Sequence, residues 1–385
     1  MEQREAVIVA YGRAPIAKAK KGSLADIHPV SFGAETLKKV LERVPNLKPE
    51  EIDDVIVGCA MTQGVHSGNF GKNIVARAGL PDSVTAMTVN RYCATGLQVI
   101  SLASNIIQCG GADVIVAGGA ESMSLVPMLE RPEDQDKELL DSRPGAYVAM
   151  GITAENVAKK YGITRLEMEQ MAVDSHAKAA LAQKTGAFNN EIVPITVKAP
   201  DGSLRTFATD ECIREGTNLA KLAELEPCFI ENGLITAATS SQMSDGAAFV
   251  VLMSLEKARQ LKLKAIAKLK FYAVAGVPCE VMGLGPIEAV PKVLKQSGLD
   301  INDFDIIELN EAFAAQAIPC IQELKLPLEK VNPRGGAMAM GHPLGVTGTV
   351  LACKALSYLA DTNGKRALIT MCIGGGMGAA GVLEM

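Results

Sequence analysis

The sequence predicts a large α/β fold made of two similar halves, with a separate segment let into the first. Three observations carry that expectation. Strand-like apolar runs alternate with helix-period segments at both ends of the chain, and two of those runs recur about 252 residues apart. Between residues 122 and 243 charge runs and Met-rich turns replace this rhythm. The 385 residues are too many for one ordinary core. The expected division is therefore 1–121 with 244–263 as one half, 122–243 as the insertion and 264–385 as the other half.

In chain order, "EAVIVAY", "SFGAETLKKVLERV" and "IDDVIVGCA" read as strand, helix and strand. "VTAMTVN" is a further strand, followed by "CATGLQVISLASNIIQCGG", where Leu97, Ile100 and Ile107 fall at helical spacing and Gly110-Gly111 act as a stop. Ala, Gly and Ser lie on nearly every side of this helix, so neighbouring elements can approach closely and it belongs at the centre of the fold. "ADVIVAGGA" is the next strand. Within the insertion, "TRLE" is a capping-box pattern of Thr164 and Glu167, opening a helix with Met168, Met171, Ala172, Ser175 and Ala179 on one face. The α/β rhythm returns at "GAAFVVLMS". "EIDDVIVGCA" (51–60) then matches "DFDIIELNEA" (303–312) at an offset of 252, and "ADVIVAGGA" (112–120) matches "RALITMCIGGG" at about 253. The duplication places Cys93 and His342 on equivalent Gly-rich turns facing one another across a pseudo-twofold axis.

A net charge of -5, with no Lys/Arg stripe, argues against general nucleic-acid binding. No uncharged apolar run is long enough to span a membrane, and "MEQREAVIVAYGR" carries acidic residues where a targeting peptide would be basic, so a cytoplasmic protein is expected. The nine cysteines never fall at C-x-x-C spacing and the four histidines are scattered, so no metal site is expected.

Four segments can carry chemistry. Cys93 in "VNRYCATGLQ" stands where a helix begins, a position that lowers a thiol pKa; the alternative is a small buried hydrophobe. His342 in "GGAMAMGHPLGVTG" either meets a ligand or satisfies turn carbonyls. In "CIGGGMGAAG", Cys372 is followed by Gly374, Gly375 and Gly376, whose N–H groups can serve an oxyanion hole or simply a turn. The G-x-G-x-x-G match from Gly376 to Gly381 lacks the helix and acidic residue of a dinucleotide site. In "LNEAFAAQA", Asn310 can hold a water or polarise a carbonyl, or else cap a helix.

Together, "NRYCATG", "NEAFAAQ", "GGAMAMGHPLGVTG" and "CIGGGMG", with "GRAPIAK" and "MGITAENVA", closely resemble the thiolase family along essentially the whole chain. The resemblance implies a five-layered αβαβα fold of two halves with an inserted loop domain. It also implies 3-ketoacyl-CoA cleavage by CoA to acyl-CoA and acetyl-CoA, or the reverse condensation. Cys93 matches the nucleophile, His342 the imidazole that activates it, and Cys372 the acid/base at the α-carbon. Asn310, through a water, and His342 match the enolate donors; the N–H groups of Cys93 and Gly374 match a second oxyanion hole. CoA and acyl-CoA are then substrates, no cofactor is held permanently, and a homodimer or homotetramer is expected. The chemistry is consistent: the reaction needs a soft nucleophile to carry an acyl group and a proton donor for the departing carbanion.

"NRYCATGLQ" and "GVPCEVMGLGP" resemble the degradative branch of the family, which serves fatty acid β-oxidation. The acetoacetyl-CoA branch has a His-Met pair before "G-x-T-A-E-N", where this chain has Ala149-Met150, which points to medium or long acyl chains. Short-chain acetoacetyl-CoA thiolase is the alternative. A decarboxylating ketoacyl synthase, which uses two histidines, is disfavoured by Cys372. Ser241 in "TSSQMSDG" matches the family's pantetheine contact and Arg214 lies near the expected nucleotide end of CoA, although a turn serine and a solvated arginine explain them equally. Arg334, Ala238-Thr239 and Ala17 depart from the family's usual residues.

Overall fold

The computed structural model describes residues 4–128 and 132–385. Glu130 and Arg131 of the charge run "ERPEDQDKELLDSRP" lie outside the described residues, as do Met1, Glu2 and Gln3. The first half of the chain contains strands β1 (Ala6–Arg13), β2 (Ala17–Lys18), β3 (Asp54–Gly58), β4 (Thr85–Val89) and β5 (Val114–Ser122). Its helices are α1 (Pro29–Leu41), α2 (Phe70–Arg77) and α3 (Thr95–Gln108). The middle segment holds α4 (Lys137–Ser142), α5 (Met150–Tyr161), α6 (Arg165–Lys184), α7 (Leu219–Ala223) and the hairpin β6 (Ile195–Lys198) and β7 (Leu204–Phe207). The chain continues with β8 (Ser244–Ser254), α8 (Leu255–Gln260), β9 (Lys268–Gly276), α9 (Gly285–Ser297), β10 (Ile306–Leu309), α10 (Ala314–Glu323), α11 (Ala337–Met340), α12 (Thr347–Thr362), β11 (Arg366–Ile373) and β12 (Met377–Glu384).

One sheet runs β1-β8-β5-β3-β4, with β2 paired to β8; the other runs β10-β11-β12-β9. Apolar side chains form three successive cores. Phe32, Leu37, Phe70 and Ile74 of α1 and α2 pack on one face of the first sheet. Leu97, Ile100, Leu351 and Leu356 of α3 and α12 lie between the two sheets, against Ile56 and Val250 on one side and Ile369 and Met371 on the other. Ala289, Val293, Ala317 and Cys320 of α9 and α10 cover the outer face of the second sheet. The layers are thus αβαβα, the expected architecture. Long apolar strands such as Val114–Ser122 follow from it, because strands buried on both faces have no solvent side to make polar.

The duplication is visible residue by residue. β3 pairs with β5 in parallel, Asp54 opposite Ile115, and β10 with β11, Ile306 opposite Ala367. Both partners are displaced by the same 252, correcting the offset of about 253 expected for the second pair. α3 and α12 cross at glycines in the same register: a Cβ on Gly96 would lie 2.4 Å from Thr349 N, and one on Gly348 2.2 Å from Leu97 N. Close helix contact explains the small residues on every side of α3. Two differences separate the halves. β5 and β8 are neighbours in the sheet but are separated by residues 123–243, whereas β11 and β12 are joined by the tight turn Gly374–Gly376. Among the described residues the second sheet also has no partner strand where β4 stands in the first; at that offset lie α11, Gly341 and His342.

The Thr164/Glu167 capping box forms as read, and Met168, Ala172, Ser175 and Ala179 are buried on the inner face of α6. The middle segment is locked to the first half by Arg13, fully buried, which donates from Nε to Glu191 at 2.8 Å and from both Nη atoms to Asp210 at 2.8 and 2.9 Å. Residues 377–384 are strand, so the G-x-G-x-x-G match has no phosphate-binding helix.

Candidate active site

The elements converge at the ends of the central strands. Cys93 lies in a single 3₁₀ turn, Tyr92–Ala94, that leads into α3. That turn is tight: Tyr92 has φ +43°, and Thr95 Oγ1 accepts the Arg91 N–H at 2.8 Å and donates to Tyr92 O at 2.6 Å. The turn packs against β11 and against the equivalent 3₁₀ turn Leu344–Val346 of the second half. The Gly374 N–H, in the turn after β11, lies close enough to the Cys93 thiol to favour its charged form. Cys372, near the end of β11, is close enough to Cys93 for charge on that sulfur to raise it.

Asn310 follows β10 directly, and its N–H bonds Thr370 O at 3.0 Å, which sets it beside β11 two residues before Cys372. Its side-chain Nδ2 faces His342 Nε2 at 3.4 Å. On the far side of the ring, Nδ1 is 2.6 Å from Thr347 Oγ1, which also reaches Pro343 O at 3.1 Å. One proton assignment satisfies this set: the Thr347 hydroxyl donates to Pro343 O, the ring carries its proton on Nδ1, and Nε2 is a free base that accepts from Asn310. Asn310 Oδ1 is buried and has no hydrogen-bond partner within the protein, an acceptor left for a water or a substrate group.

The protonation states differ from the sequence expectation. The start of a helix was expected to lower the pKa of the Cys93 thiol. Instead burial pushes it up to about 11, outweighing the Gly374 and Cys93 N–H groups, and the buried Glu121 carboxylate adds to the rise. Burial also lowers His342 to about 4, so no imidazolium is present to help. Cys372 is raised well above the usual thiol range, first by burial and then by Cys93 and Cys320. The resting site therefore holds neutral thiols and a neutral imidazole. Desolvation of a fully enclosed charge exceeds what a few peptide dipoles return.

The sequence reading missed a buried cluster beside Cys93. Glu121 Oε2 accepts from Ala60 N at 2.7 Å and Gly345 N at 2.8 Å, and Oε1 from Met61 N at 3.2 Å, so one carboxylate ties both halves together. Cys59, His66 and Glu121 bring candidate ligand atoms within 4.8 Å of one another, although scattered histidines gave no hint of it. Each is already engaged: His66 Nδ1 with Met61 O at 2.8 Å, His66 Nε2 with Ser122 N at 3.1 Å, and Cys59 Sγ with Glu121 at 3.5 Å. The set braces β3, β5 and the Gly345 turn through hydrogen bonds.

The chain matches the thiolase N-terminal domain over residues 6–256 and the thiolase C-terminal domain over residues 263–385. It belongs to the thiolase family. This thiolase is 48% identical to the 3-ketoacyl-CoA thiolase of Bacillus subtilis, over 99% of this chain and all of that one. It is 42% identical to the acetyl-CoA acetyltransferase of Cupriavidus necator, covering 99% of each, and 42% identical to the peroxisomal 3-ketoacyl-CoA thiolase A of Mus musculus, covering 98% of this chain and 90% of that one. The crystal structure of the Bacillus anthracis acetyl-CoA acetyltransferase superposes with a TM-score of 0.92 at 36% identity, covering 99% of each chain. Enzymes of both names are acyltransferases, and this chain is one too.

The remaining sequence candidates stand further out. Arg214 is exposed; its N–H bonds the buried His176 Nδ1 at 3.1 Å, and its Nη2 donates to Gln242 Oε1 at 3.1 Å. Ser241 N donates to Ala312 O at 2.9 Å, placing its segment beside the one that carries Asn310. Arg334 is a packing residue of this thiolase: it donates to Ala187 O, Ser357 Oγ and Asp361, and lies 5.2 Å from the Tyr358 ring centre. Thr239 closes a local turn through the Thr236 N–H at 2.9 Å, and Ala17 sits in β2 opposite Asp245. Met150 Sδ lies 3.5 Å, and the Tyr92 ring 3.9 Å, from where a Gly374 Cβ would project, so both side chains flank the Gly374 turn.

Proposed function

We infer that this thiolase cleaves 3-ketoacyl-CoA with CoA, giving acyl-CoA and acetyl-CoA, and runs the reverse condensation through the same acyl-enzyme. The observation that supports this reading is the convergence of the segments that carry these groups: the Cys93 turn packs on β11 and on the turn that follows His342, Asn310 is tied to β11 two residues before Cys372, and Asn310 faces His342. His342 Nε2 takes the Cys93 proton as the sulfur attacks the ketone carbon, and the bond between the α- and β-carbons breaks. The electron pair passes to the α-carbon as an enolate, stabilised by Asn310 through a water and by His342. Cys372 returns a proton there, releasing acetyl-CoA. CoA thiol then gives its proton to the Cys372 thiolate and attacks the acyl group, while Gly374 and Cys93 N–H groups hold the tetrahedral oxyanion; its collapse breaks the Cys93–acyl bond, acyl-CoA leaves, and His342 returns its proton to the Cys93 sulfur. Neutral resting groups suit this sequence, because charge appears only when substrate arrives.

Ser241 and Arg214 are proposed contacts for pantetheine and nucleotide. Ala149-Met150, with Met150 against the Gly374 turn, supports a medium- or long-chain preference and a place in fatty acid β-oxidation. Residues 1–121 with 244–263, the inserted 122–243, and 264–385 are the proposed units, supported by the membership of the two sheets. A cytoplasmic homodimer or homotetramer without nucleic-acid partners completes the reading; among the described residues no helix is long and apolar enough to cross a membrane. The test is mass spectrometry after brief exposure to an acyl-CoA. The wild type should gain one acyl mass at Cys93 and Cys93→Ala none; an adduct at another residue refutes the assignment.

A further inference from the structure

The loop that delivers His342 is held at a point none of the four catalytic motifs contains. α11 is one turn long and ends abruptly at Gly341, whose φ of +100° and ψ of 167° swing the chain toward His342. A helix that stops so sharply leaves carbonyls without N–H partners, and those of Met338 and Ala339 lie where the residues are almost fully buried. One side chain takes both: Gln242 Nε2 donates to Met338 O at 2.9 Å and Ala339 O at 3.1 Å. The same nitrogen reaches Cys212 O at 2.8 Å, and Oε1 accepts from Arg214 Nη2 at 3.1 Å. These partners fix which way the amide faces, since three carbonyls require the nitrogen and a guanidinium requires the oxygen. Gln242 also receives the His342 N–H on its own carbonyl at 3.0 Å.

The N-terminal end of the same turn is held separately. Ser175 Oγ accepts the Gly336 N–H at 3.0 Å and donates to Glu311 Oε2 at 2.6 Å; that oxygen also accepts the Met338 N–H at 3.3 Å. Removal of the Gln242 amide therefore frees only the end that leads into His342. We propose that Gln242 is a positioning residue for the reaction, clamping the His342 loop to the Cys212–Arg214 segment of the insertion. It touches neither substrate nor the reacting atoms and acts through the placement of the imidazole. The inference rests on the reading of His342 as the base.

The experiment compares wild type, Gln242→Leu and Gln242→Glu by steady-state thiolysis and by rapid-quench mass spectrometry of Cys93 acylation, with folding checked by circular dichroism. Leucine keeps the bulk and loses every polar contact. Glutamate keeps the acceptor for Arg214 but sets an oxygen against three carbonyls. Both should lower kcat and the acylation rate by about tenfold to a hundredfold, the range for misplacing a catalytic group by up to an ångström, with KM for CoA moving less than about threefold. Wild-type kcat in either folded variant, or a defect confined to KM, overturns the proposal. If Leu does not fold, Glu decides by the same criterion; if neither folds, Gln242 belongs to the fold and the proposal falls. Absence of acylation at Cys93 in the wild type instead removes the thiolase reading beneath it.

Discussion

Replacement of Thr347 by Val tests whether the tautomer of His342 is set from behind. The Thr347 hydroxyl, 2.6 Å from Nδ1, is the acceptor that holds the ring proton there and leaves Nε2 free. Valine has the same shape without the oxygen, so Nδ1–H becomes a buried donor with no acceptor. Such a group costs about 1–3 kcal/mol, which is also the free energy by which the productive tautomer loses ground. At 1.36 kcal/mol per decade, acylation and kcat should fall roughly five- to hundred-and-fifty-fold. Rapid-quench mass spectrometry of Cys93 acylation reads the step directly, and Thr347→Ser, which restores the hydroxyl, should recover most of the rate. Wild-type acylation in Thr347→Val, or a loss that Ser does not rescue, refutes the assigned proton arrangement.

Four further outcomes are expected. Asn310→Ala should lower kcat by roughly a hundredfold or more, as removal of an oxyanion donor does, and unimpaired turnover would rule out the water-mediated role. A chain-length series of kcat/KM should peak above four carbons; a maximum at acetoacetyl-CoA contradicts the pocket reading of Ala149-Met150. Since His342 has a folded pKa of about 4 against 6.5 when exposed, the unfolded chain binds the extra proton first, so stability is full above about pH 6.5 and falls as pH drops toward 4. That group alone accounts for about 3 kcal/mol, measurable as the decline of urea midpoints over this window. Gly348→Ala should cost at least 1–3 kcal/mol in thermal denaturation, because its Cβ would fall 2.2 Å from Leu97 N at the helix crossing; an unchanged Tm would show that the helices can part there.

The architecture was legible because it is periodic. Apolar strands, helical spacing and a repeat near 252 residues are one-dimensional signals, and the paired registers Asp54–Ile115 and Ile306–Ala367 reproduce them in space. The proposed catalytic groups were legible for a related reason: Cys93, Asn310, His342 and Cys372 each sit in a short local motif at a strand end or helix start. Their supports were not. Gln242, Thr347 and Glu121 are ordinary residues in sequence, and their roles come from partners far along the chain, such as Gly345 for Glu121 and Cys212 for Gln242.

By itself, then, the sequence determined the duplicated α/β plan, the family and the side chains proposed to react, since local spacing and composition encode these. Only the tertiary structure decided their protonation and their bracing. A peptide stretch shows that a thiol begins a helix, but not how completely other layers bury it, and that burial raises Cys93 to about 11 and lowers His342 to about 4. Desolvation depends on everything packed around a group, which no single segment contains.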